Sequence, residues 1–300
     1  MTESRTVLVM AAVLLMTACG ERPANPPAAQ NPAETAPETH VFSTADGNRI
    51  PYEIAGEGDI TVLLVHCWMC DRTFWEAQVP VLAEHYRTIA IDLPGHGEAT
   101  DERADWSVAA YGADVAGFME ALDLRNVVLV GHSMGGPVSL RAAALTGDRV
   151  LGIVAVDTLH DAEFEFPEEQ MNAFIAAFEA DFPGTCSAFV AQMFPEEHAD
   201  AARNHVQSAS CGPERAAIGV ALMRDFGTLD MPAWFREAGV PIRAINAAQP
   251  NPTRVETNRK YADFDVVLME GVGHYPHMSR PDEFNPLLLE AIAGLADSTP

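Results

Sequence analysis

Residues 126–136 read Asn-Val-Val-Leu-Val-Gly-His-Ser-Met-Gly-Gly. The first five are typical of a buried β-strand, and the segment after them is rich in alanine and leucine, as expected of a helix. Small residues at Gly131 and Gly135 allow a turn between strand and helix that exposes the hydroxyl of Ser133. The next amide, of Met134, lies at the helix N-terminus, where unpaired N–H groups favour a developing anion. The stretch therefore predicts a nucleophile, Ser133, beside a donor for an oxyanion, Met134.

Strand-like and helix-like segments alternate on both sides of this turn. A hairpin is predicted over residues 41–55, followed by strands at 60–65, 86–91, 126–130, 150–156, 242–246 and 266–270. Helices are predicted at 74–85, at 108–122, directly after the turn and at 284–295. This order indicates an α/β fold with a mostly parallel, doubly wound sheet covered by helices on both faces. No repeat is evident.

The alternation stops between residues 159 and 238, where helical patterns rich in phenylalanine and methionine replace it. We expect this segment to form a helical cap inserted after the sixth strand, with the core built from residues 41–158 and 239–300. Most of the cap's large apolar side chains are expected to pack its helices together, and some to line an apolar pocket. This set includes Phe164, Phe166, Phe174, Phe178, Phe189, Met193 and Phe194.

The N-terminal segment has the pattern of an export signal. Residues 7–16 form an apolar run that is too short to span a bilayer but fits a secretory signal, and Thr17-Ala18-Cys19 follows it. This arrangement resembles a bacterial lipoprotein signal, and an ordinary secretory signal is the alternative. The resemblance implies removal of residues 1–18, lipidation of Cys19 and a membrane-anchored protein of the cell envelope or periplasm. Residues 19–40 are rich in proline and alanine and are expected to form a disordered tether.

Composition narrows the classes of partner. The chain has 300 residues, of which 48% are apolar, so it contains ample material for one large core. Its net charge of −25 argues against binding to nucleic acids or other polyanions.

The cysteines leave several states open. If Cys19 carries lipid, four remain, and Cys186 and Cys211 are candidates for a disulfide within the cap. Cys67 and Cys70 form a Cys-x-x-Cys pattern for which we expect structural or free thiols first, a local disulfide second and redox catalysis last. A metal site is not expected, because no second cysteine pair exists to complete a tetrahedral set.

Four landmarks in order resemble the α/β-hydrolase superfamily, in its capped esterase, lipase and haloperoxidase-like branch. They are Val-His-Cys-Trp at 65–68, Asp-Leu-Pro-Gly-His-Gly at 92–97, Gly-His-Ser-Met-Gly-Gly at 131–136 and Gly-Val-Gly-His-Tyr-Pro-His at 271–277. The resemblance covers roughly residues 41–295 and implies the fold described above.

The resemblance also assigns a general base. A serine hydroxyl needs an imidazole to take its proton and to return it to the leaving group. His274 follows the last strand on a Gly-x-Gly loop, where the family places its catalytic histidine. His277 is the nearest competitor and lacks the flexible glycines before it.

The triad acid departs from the usual pattern. Relatives commonly carry aspartate after the strand at 242–246, but Asn246 and uncharged residues stand there in this chain. A second solution known in the superfamily uses the end of the preceding strand, which is Asp157 here, so we predict Asp157 as the acid. The alternative is that Asp157 only caps its turn and that Asn246 or Asn251 orients the histidine.

The second oxyanion donor implied by the resemblance is the backbone N–H of Trp68, acting with that of Met134. Cys67 replaces the glycine usual in this loop, and its Cβ restricts the backbone. Residues 92–97 are expected to shape a turn near the pocket rather than to take part in the chemistry.

These features predict a serine hydrolase that cleaves a small-molecule carboxylic ester, or a related acyl substrate, through an acyl-enzyme without a cofactor. Epoxide hydrolases and haloalkane dehalogenases attack with aspartate, whereas this turn carries serine. Two alternatives stay open: a surface lipoprotein that keeps the fold as a binding module with weak catalysis, and a thiol oxidoreductase that uses Cys67 and Cys70.

Overall fold

A computed structural model describes residues 38–195 and 199–297 of the chain. The predicted signal, the lipidation site Cys19 and most of the predicted tether lie outside these residues. The first strand begins at Glu38, slightly earlier than the predicted start of the core. Within the described ranges, no helix is both long and apolar enough to cross a bilayer.

One eight-stranded sheet, in the order β1-β2-β4-β3-β5-β6-β7-β8, forms the centre of the fold. The strands are β1 Glu38–Ser43, β2 Arg49–Ala55, β3 Thr61–Val65, β4 Arg87–Ile91, β5 Val127–His132, β6 Val150–Val156, β7 Ile242–Ala247 and β8 Phe264–Met269. β2 pairs antiparallel with β1 and β4, and all other neighbours are parallel. The predicted fold class is confirmed.

Helices cover both faces of the sheet. They are α1 Val79–Ala83, α2 Val108–Ala121, α3 Gly135–Thr146, α4 Glu168–Ala180, α5 Phe182–Gln192, α6 Asp200–Ser210, α7 Ala216–Phe226, α8 Met231–Ala238, α9 Val255–Asn258, α10 Pro276–Ser279 and α11 Pro281–Asp297. Side chains of β3 and β5 alternate between two clusters, with Leu63 and Leu129 on one face and Val62 and Val128 on the other. Because both faces are covered, these strands are apolar throughout.

The helix predicted at residues 74–85 is wrong as a single element. The structure has a 3₁₀ turn at Arg72–Trp75, capped by the Asp71 side chain, and then the short helix α1. Pro80 lies in the first turn of α1. Proline has no N–H and clashes with the carbonyl four residues earlier, so one continuous helix through this position is disfavoured.

Helices α4 to α8 separate β6 from β7. Helices α4 to α7 pack on one another as the predicted cap, whereas α8, which the prediction included in it, packs on the core helix α3. A disulfide joins Cys186 in α5 to Cys211 directly after α6, with their Cα atoms 5.4 Å apart. This bond ties the two helices together. Among the aromatic residues noted in the sequence, Phe174, Phe178 and Phe189 pack on one another inside the cap, whereas Phe164 and Phe166 are exposed.

A buried cation holds the loop after β3 to the loop after β4. The Arg72 guanidinium is 9% exposed and contacts Glu53 at 2.9 Å, Asp92 at 2.5 Å and Glu98 at 2.7 Å. Asp92 is fully buried and also accepts the backbone N–H groups of Arg72 and Glu98. The predicted role of residues 92–97 as a shaped turn agrees with this arrangement.

We expect Arg72→Met to lower the free energy of unfolding by about 3 kcal/mol, because it leaves the buried Asp92 carboxylate without its cation. Arg125→Met is the matched control, since Arg125 is 59% exposed and pairs with the exposed Asp123. Its effect should stay within about 0.5 kcal/mol. Urea denaturation of both variants measures the difference, and equal losses would contradict the interpretation.

Candidate active site

Strand β5 runs into helix α3 through a turn at Ser133, whose φ is +51°. A Cβ atom on Gly131 would overlap the carbonyl of Gly135, and one on Gly135 would overlap the carbonyl of Val65. Glycine is therefore required at both positions, as expected for a Gly-x-Ser-x-Gly turn. The left-handed backbone at Ser133 is unusual for a residue other than glycine and marks a strained turn.

Two hydrogen bonds fasten this turn to the end of β6. The N–H of Ser133 donates to the carbonyl of Val156 at 3.1 Å. The Thr158 hydroxyl donates to the carbonyl of Ser133 at 2.8 Å. Asp157 stands between these two partners in the chain, so the residue predicted as the acid lies next to the predicted nucleophile.

The Asp157 carboxylate contacts the predicted base. Its Oδ2 accepts a hydrogen bond from His274 Nδ1 at 2.5 Å, and its Oδ1 accepts the N–H of Ala247 at 2.8 Å. Burial works to raise the pKa of Asp157, but the hydrogen bond from His274 and the charges of His274 and His160 outweigh it and hold that pKa below its ordinary value. Asp157 is thus an ionised acceptor that leaves Nε2 of His274 as the nitrogen free to act on a substrate.

The loop that carries His274 is anchored on both sides. Its backbone N–H donates to the carbonyl of Met193 in the cap, at 2.9 Å. Its carbonyl accepts a hydrogen bond from His132 Nε2 at 2.7 Å, and the two imidazole rings lie 4.8 Å apart between centroids. Because His132 precedes Ser133 directly, this contact brings the predicted base to the edge of the sheet where the predicted nucleophile stands.

Other histidines near the site stay neutral. Burial lowers the pKa of His132 well below its usual range, and the neighbouring His277 and His274 lower it further. Burial and His274 likewise lower the pKa of His277 to about 3. The His277 ring is fully buried and packs against Trp75, 4.7 Å between centroids. The competitor that the sequence left open therefore faces the core.

Neither asparagine considered as an alternative partner of His274 contacts its imidazole among the hydrogen bonds of the described residues. Asn246 accepts the N–H of Thr158 at 3.2 Å and donates to its carbonyl at 3.1 Å, so it fixes the segment that follows Asp157. Asn251 is exposed. His160, which the sequence reasoning missed, places Nε2 3.7 Å from Asp157 Oδ1. The sequence showed only that His160 follows Asp157 by three residues. It did not show that the chain turns after Asp157 and brings the two side chains together.

The loop of residues 66–70 lies against the start of α3. A Cβ on Gly135 would lie 3.0 Å from the carbonyl oxygen of His66, which shows how closely the two segments approach. Met134 is the N-cap residue of α3, so its amide belongs to the unpaired N–H groups of that helix. Trp68, the other predicted donor, is in the same 66–70 loop.

Cys67 and Cys70 form a disulfide, with Cα atoms 5.2 Å apart. The expectation of thiols ahead of a disulfide is therefore wrong. The turn explains the pairing, because Met69 adopts φ +56° and the N–H of Cys70 donates to the carbonyl of Cys67 at 3.2 Å. Both cysteines are at most 1% exposed, so the bond is shielded from an external thiol, which argues against an oxidoreductase site.

Comparisons with known proteins identify the family and agree with the fold. A model of the "Alpha/beta hydrolase family" matches residues 62–287. A 2-(acetamidomethylene)succinate hydrolase of Mesorhizobium japonicum is 26% identical, over 89% of this chain and 99% of its own length. An esterase structure from Exiguobacterium antarcticum superposes with a TM-score of 0.74 at 19% identity, over 84% of this chain and 98% of that one.

Some relatives share only a segment with this chain. A protein of Mycobacterium tuberculosis is 40% identical over 110 residues, which make up 37% of this chain and 32% of that protein. The match thus spans about a third of that relative's length. The family model, in contrast, covers most of the described residues, from β3 into α11. This chain belongs to the alpha/beta hydrolase family.

Proposed function

We propose that the protein is a serine hydrolase that cleaves carboxylic esters of small molecules through an acyl-enzyme intermediate. The observation that carries this proposal is the pairing of a strained Ser133 turn with the Asp157–His274 hydrogen bond on the same edge of the sheet. A hydroxyl, an imidazole and a buried carboxylate in this order are the parts that nucleophilic acyl transfer requires.

Each group has one role in the reaction. His274 Nε2 takes the proton of Ser133 as Oγ attacks the ester carbonyl carbon, and it returns that proton to the leaving alkoxide. Asp157 holds the Nδ1–H tautomer of His274 and stabilises the imidazolium that forms. The amides of Trp68 and Met134 donate to the oxyanion of the tetrahedral intermediate. Water, activated by His274, then hydrolyses the acyl-enzyme.

The alternative of a binding module with weak catalysis has less support. It was motivated by the missing carboxylate after β7 and by Cys67 in place of glycine. Asp157 fills the acid position from β6, and the disulfide gives the 66–70 loop a defined shape despite the extra Cβ. Relatives named as a methyl ester esterase and as a hydrolase favour catalysis as well.

Replacement of the nucleophile tests the proposal directly. Ser133→Ala should lower kcat for a p-nitrophenyl ester by a factor on the order of 10⁴ or more and should abolish the covalent adduct with a fluorophosphonate. Ser187→Ala, a serine in cap helix α5, should leave both unchanged. Mass spectrometry locates the adduct. An unlabelled Ser133 in folded wild-type protein, or full turnover by Ser133→Ala, would refute the mechanism.

The acid is tested by Asp157→Asn. Asparagine tolerates the observed φ of +42° and still accepts the N–H of Ala247, so the fold should survive. In that orientation the NH₂ group replaces Oδ2 and faces His274 Nδ1, which can then no longer donate a hydrogen bond there. The opposite orientation would place the NH₂ group against the N–H of Ala247, which is also a donor. We therefore expect kcat to fall roughly 10³- to 10⁴-fold, as the same change does in serine proteases. Adding Asn246→Asp to Asp157→Asn tests whether a carboxylate on β7 restores kcat. A near-normal kcat in Asp157→Asn alone would show that another residue acts as the acid.

His277 separates pH-dependent stability from catalysis. Its pKa is about 3 in the folded chain and about 6.5 when unfolded, so below pH 6.5 only the unfolded state gains a proton. The stability of the wild type is therefore lost through this group as pH falls from about 6.5 towards 3. Between pH 8 and pH 5, the free energy of unfolding of His277→Phe should therefore fall by about 2 kcal/mol less than that of the wild type.

Urea denaturation at the two pH values measures that difference. The same variant should keep kcat within about threefold, because the imidazole is not the base. A loss of kcat as large as that of His274→Ala would contradict the assignment of His274.

A further inference from the structure

Cap helix α7 is fixed to the core at both ends. Just before it, Arg215 Nη1 donates to the carbonyl of Gly95 at 3.1 Å. Near its end, the Asp225 carboxylate accepts the N–H of Val108, at the start of α2, at 2.7 Å. Ile218, in the first turn of α7, packs closely on Gly95: a Cβ atom on Gly95 would lie 2.7 Å from Ile218 Cδ1. These contacts anchor α7 to the core at both ends.

Between these anchors, α7 contacts the 66–70 loop. The indole Nε1–H of Trp68 donates to the backbone carbonyl of Gly219 at 3.1 Å. Gly219 has no side chain, and the space beside it is occupied: a Cβ there would lie 2.7 Å from the Phe182 ring and 2.9 Å from Met69 Sδ. The glycine thus permits α7 to approach the loop closely enough for the hydrogen bond.

Other constraints on the loop act within it or at its first residue, where His66 Nε2 accepts the N–H of Leu93 at 2.9 Å. The Cys67–Cys70 disulfide and the left-handed Met69 fix its internal shape, but both lie inside the 66–70 segment. An oxyanion donor must stand within hydrogen-bond distance of a position set by Ser133, and a displacement of about 1 Å can lower the rate roughly 10²-fold. A contact between the donor residue and a separate, fixed element holds that position. The indole of Trp68 makes one, and it is buried, with its ring edge-on to Phe178 at 5.6 Å.

We propose that Trp68 is a positioning residue whose indole–Gly219 hydrogen bond holds its own backbone amide in the oxyanion hole, so that α7 is part of the catalytic scaffold as well as of the cap. This inference rests on the proposed ester hydrolysis. It assigns two functions to one residue, since the backbone N–H meets the substrate and the side chain fixes where that N–H stands.

The test replaces the indole and keeps an aromatic ring. Trp68→Phe retains the backbone amide but removes the Nε1–H that donates to the Gly219 carbonyl. We expect kcat for an oxoester to fall at least about 10-fold while KM stays within about twofold, because the ground state makes less use of the oxyanion hole than the transition state. Trp234→Phe in helix α8 is the matched control and should leave kcat unchanged.

A thionoester distinguishes positioning from general damage. Sulfur is a weak hydrogen-bond acceptor, so its hydrolysis depends less on the oxyanion donors. Trp68→Phe should therefore lower oxoester kcat more than thionoester kcat, whereas a loosened fold would lower both by the same factor. Equal factors, or an oxoester kcat within twofold of wild type, would overturn the proposal.

A second pair of variants decides the matter if Trp68→Phe does not fold. Gly219→Ala pushes α7 away from Phe182 and Met69, so the same selective loss of oxoester kcat is expected. Gly227→Ala, at the exposed end of the same helix, should not produce it. Equal kcat values for the two would overturn the proposal. If the wild-type protein neither hydrolyses an ester nor is labelled at Ser133, both the proposed function and this inference are refuted. If the wild type hydrolyses the ester normally and Trp68→Phe keeps the same kcat, only this inference is refuted.

Discussion

The left-handed backbone of Ser133 is the constraint around which the site is built. Holding a residue with a Cβ at φ +51° costs on the order of 1–2 kcal/mol. The fold offsets that cost with the bond from the Ser133 amide to Val156, the bond from Thr158 to the Ser133 carbonyl, and the close packing of Gly131 and Gly135. A turn of this kind exposes the side chain at its apex, and Ser133 is partly exposed. The same bonds, made to the residues on either side of Asp157, bring Asp157 beside Ser133.

The position of Asp157 shows how this fold can hold a carboxylate next to His274 from the end of β6. β6 and β7 are parallel neighbours, and the N–H of Asp157 donates to the carbonyl of Ile245 at 3.0 Å, so a carboxylate at the end of either strand lies within reach of the same imidazole. In this chain Asp157 supplies the carboxylate and Asn246 holds the segment after it. His160 adds a second imidazole near Asp157, and burial lowers the pKa of His160 despite that carboxylate. A neutral His160 leaves His274 as the imidazole that donates to the Asp157 carboxylate.

Much of this could be predicted from local sequence, because periodicity and small-residue spacing are local properties. The alternation of strands with helices gave the sheet, and the Gly-x-Ser-x-Gly pattern gave the turn at Ser133. Features that depend on two distant segments could not be found in this way. The indole of Trp68 meets Gly219 across 151 positions, and no pattern in either segment indicates the pair. The Cys67–Cys70 disulfide was expected only after free thiols for a different reason, since it depends on the backbone conformation of Met69, which sequence spacing does not specify.

The cap therefore has two mechanical roles rather than one. Its aromatic residues Phe174, Phe178 and Phe189 pack on one another, which gives the cap a core of its own. Phe178 and Phe189 also contact Trp68. Through the carbonyls of Gly219 and Met193 the cap also contacts the 66–70 loop and the backbone of His274. Both acceptors are backbone atoms, so side chains of the cap can change without losing either bond, provided that the helix paths are kept. Side chains that line such an insertion can therefore change, and with them the substrate preference, while its backbone keeps the 66–70 loop and His274 in place.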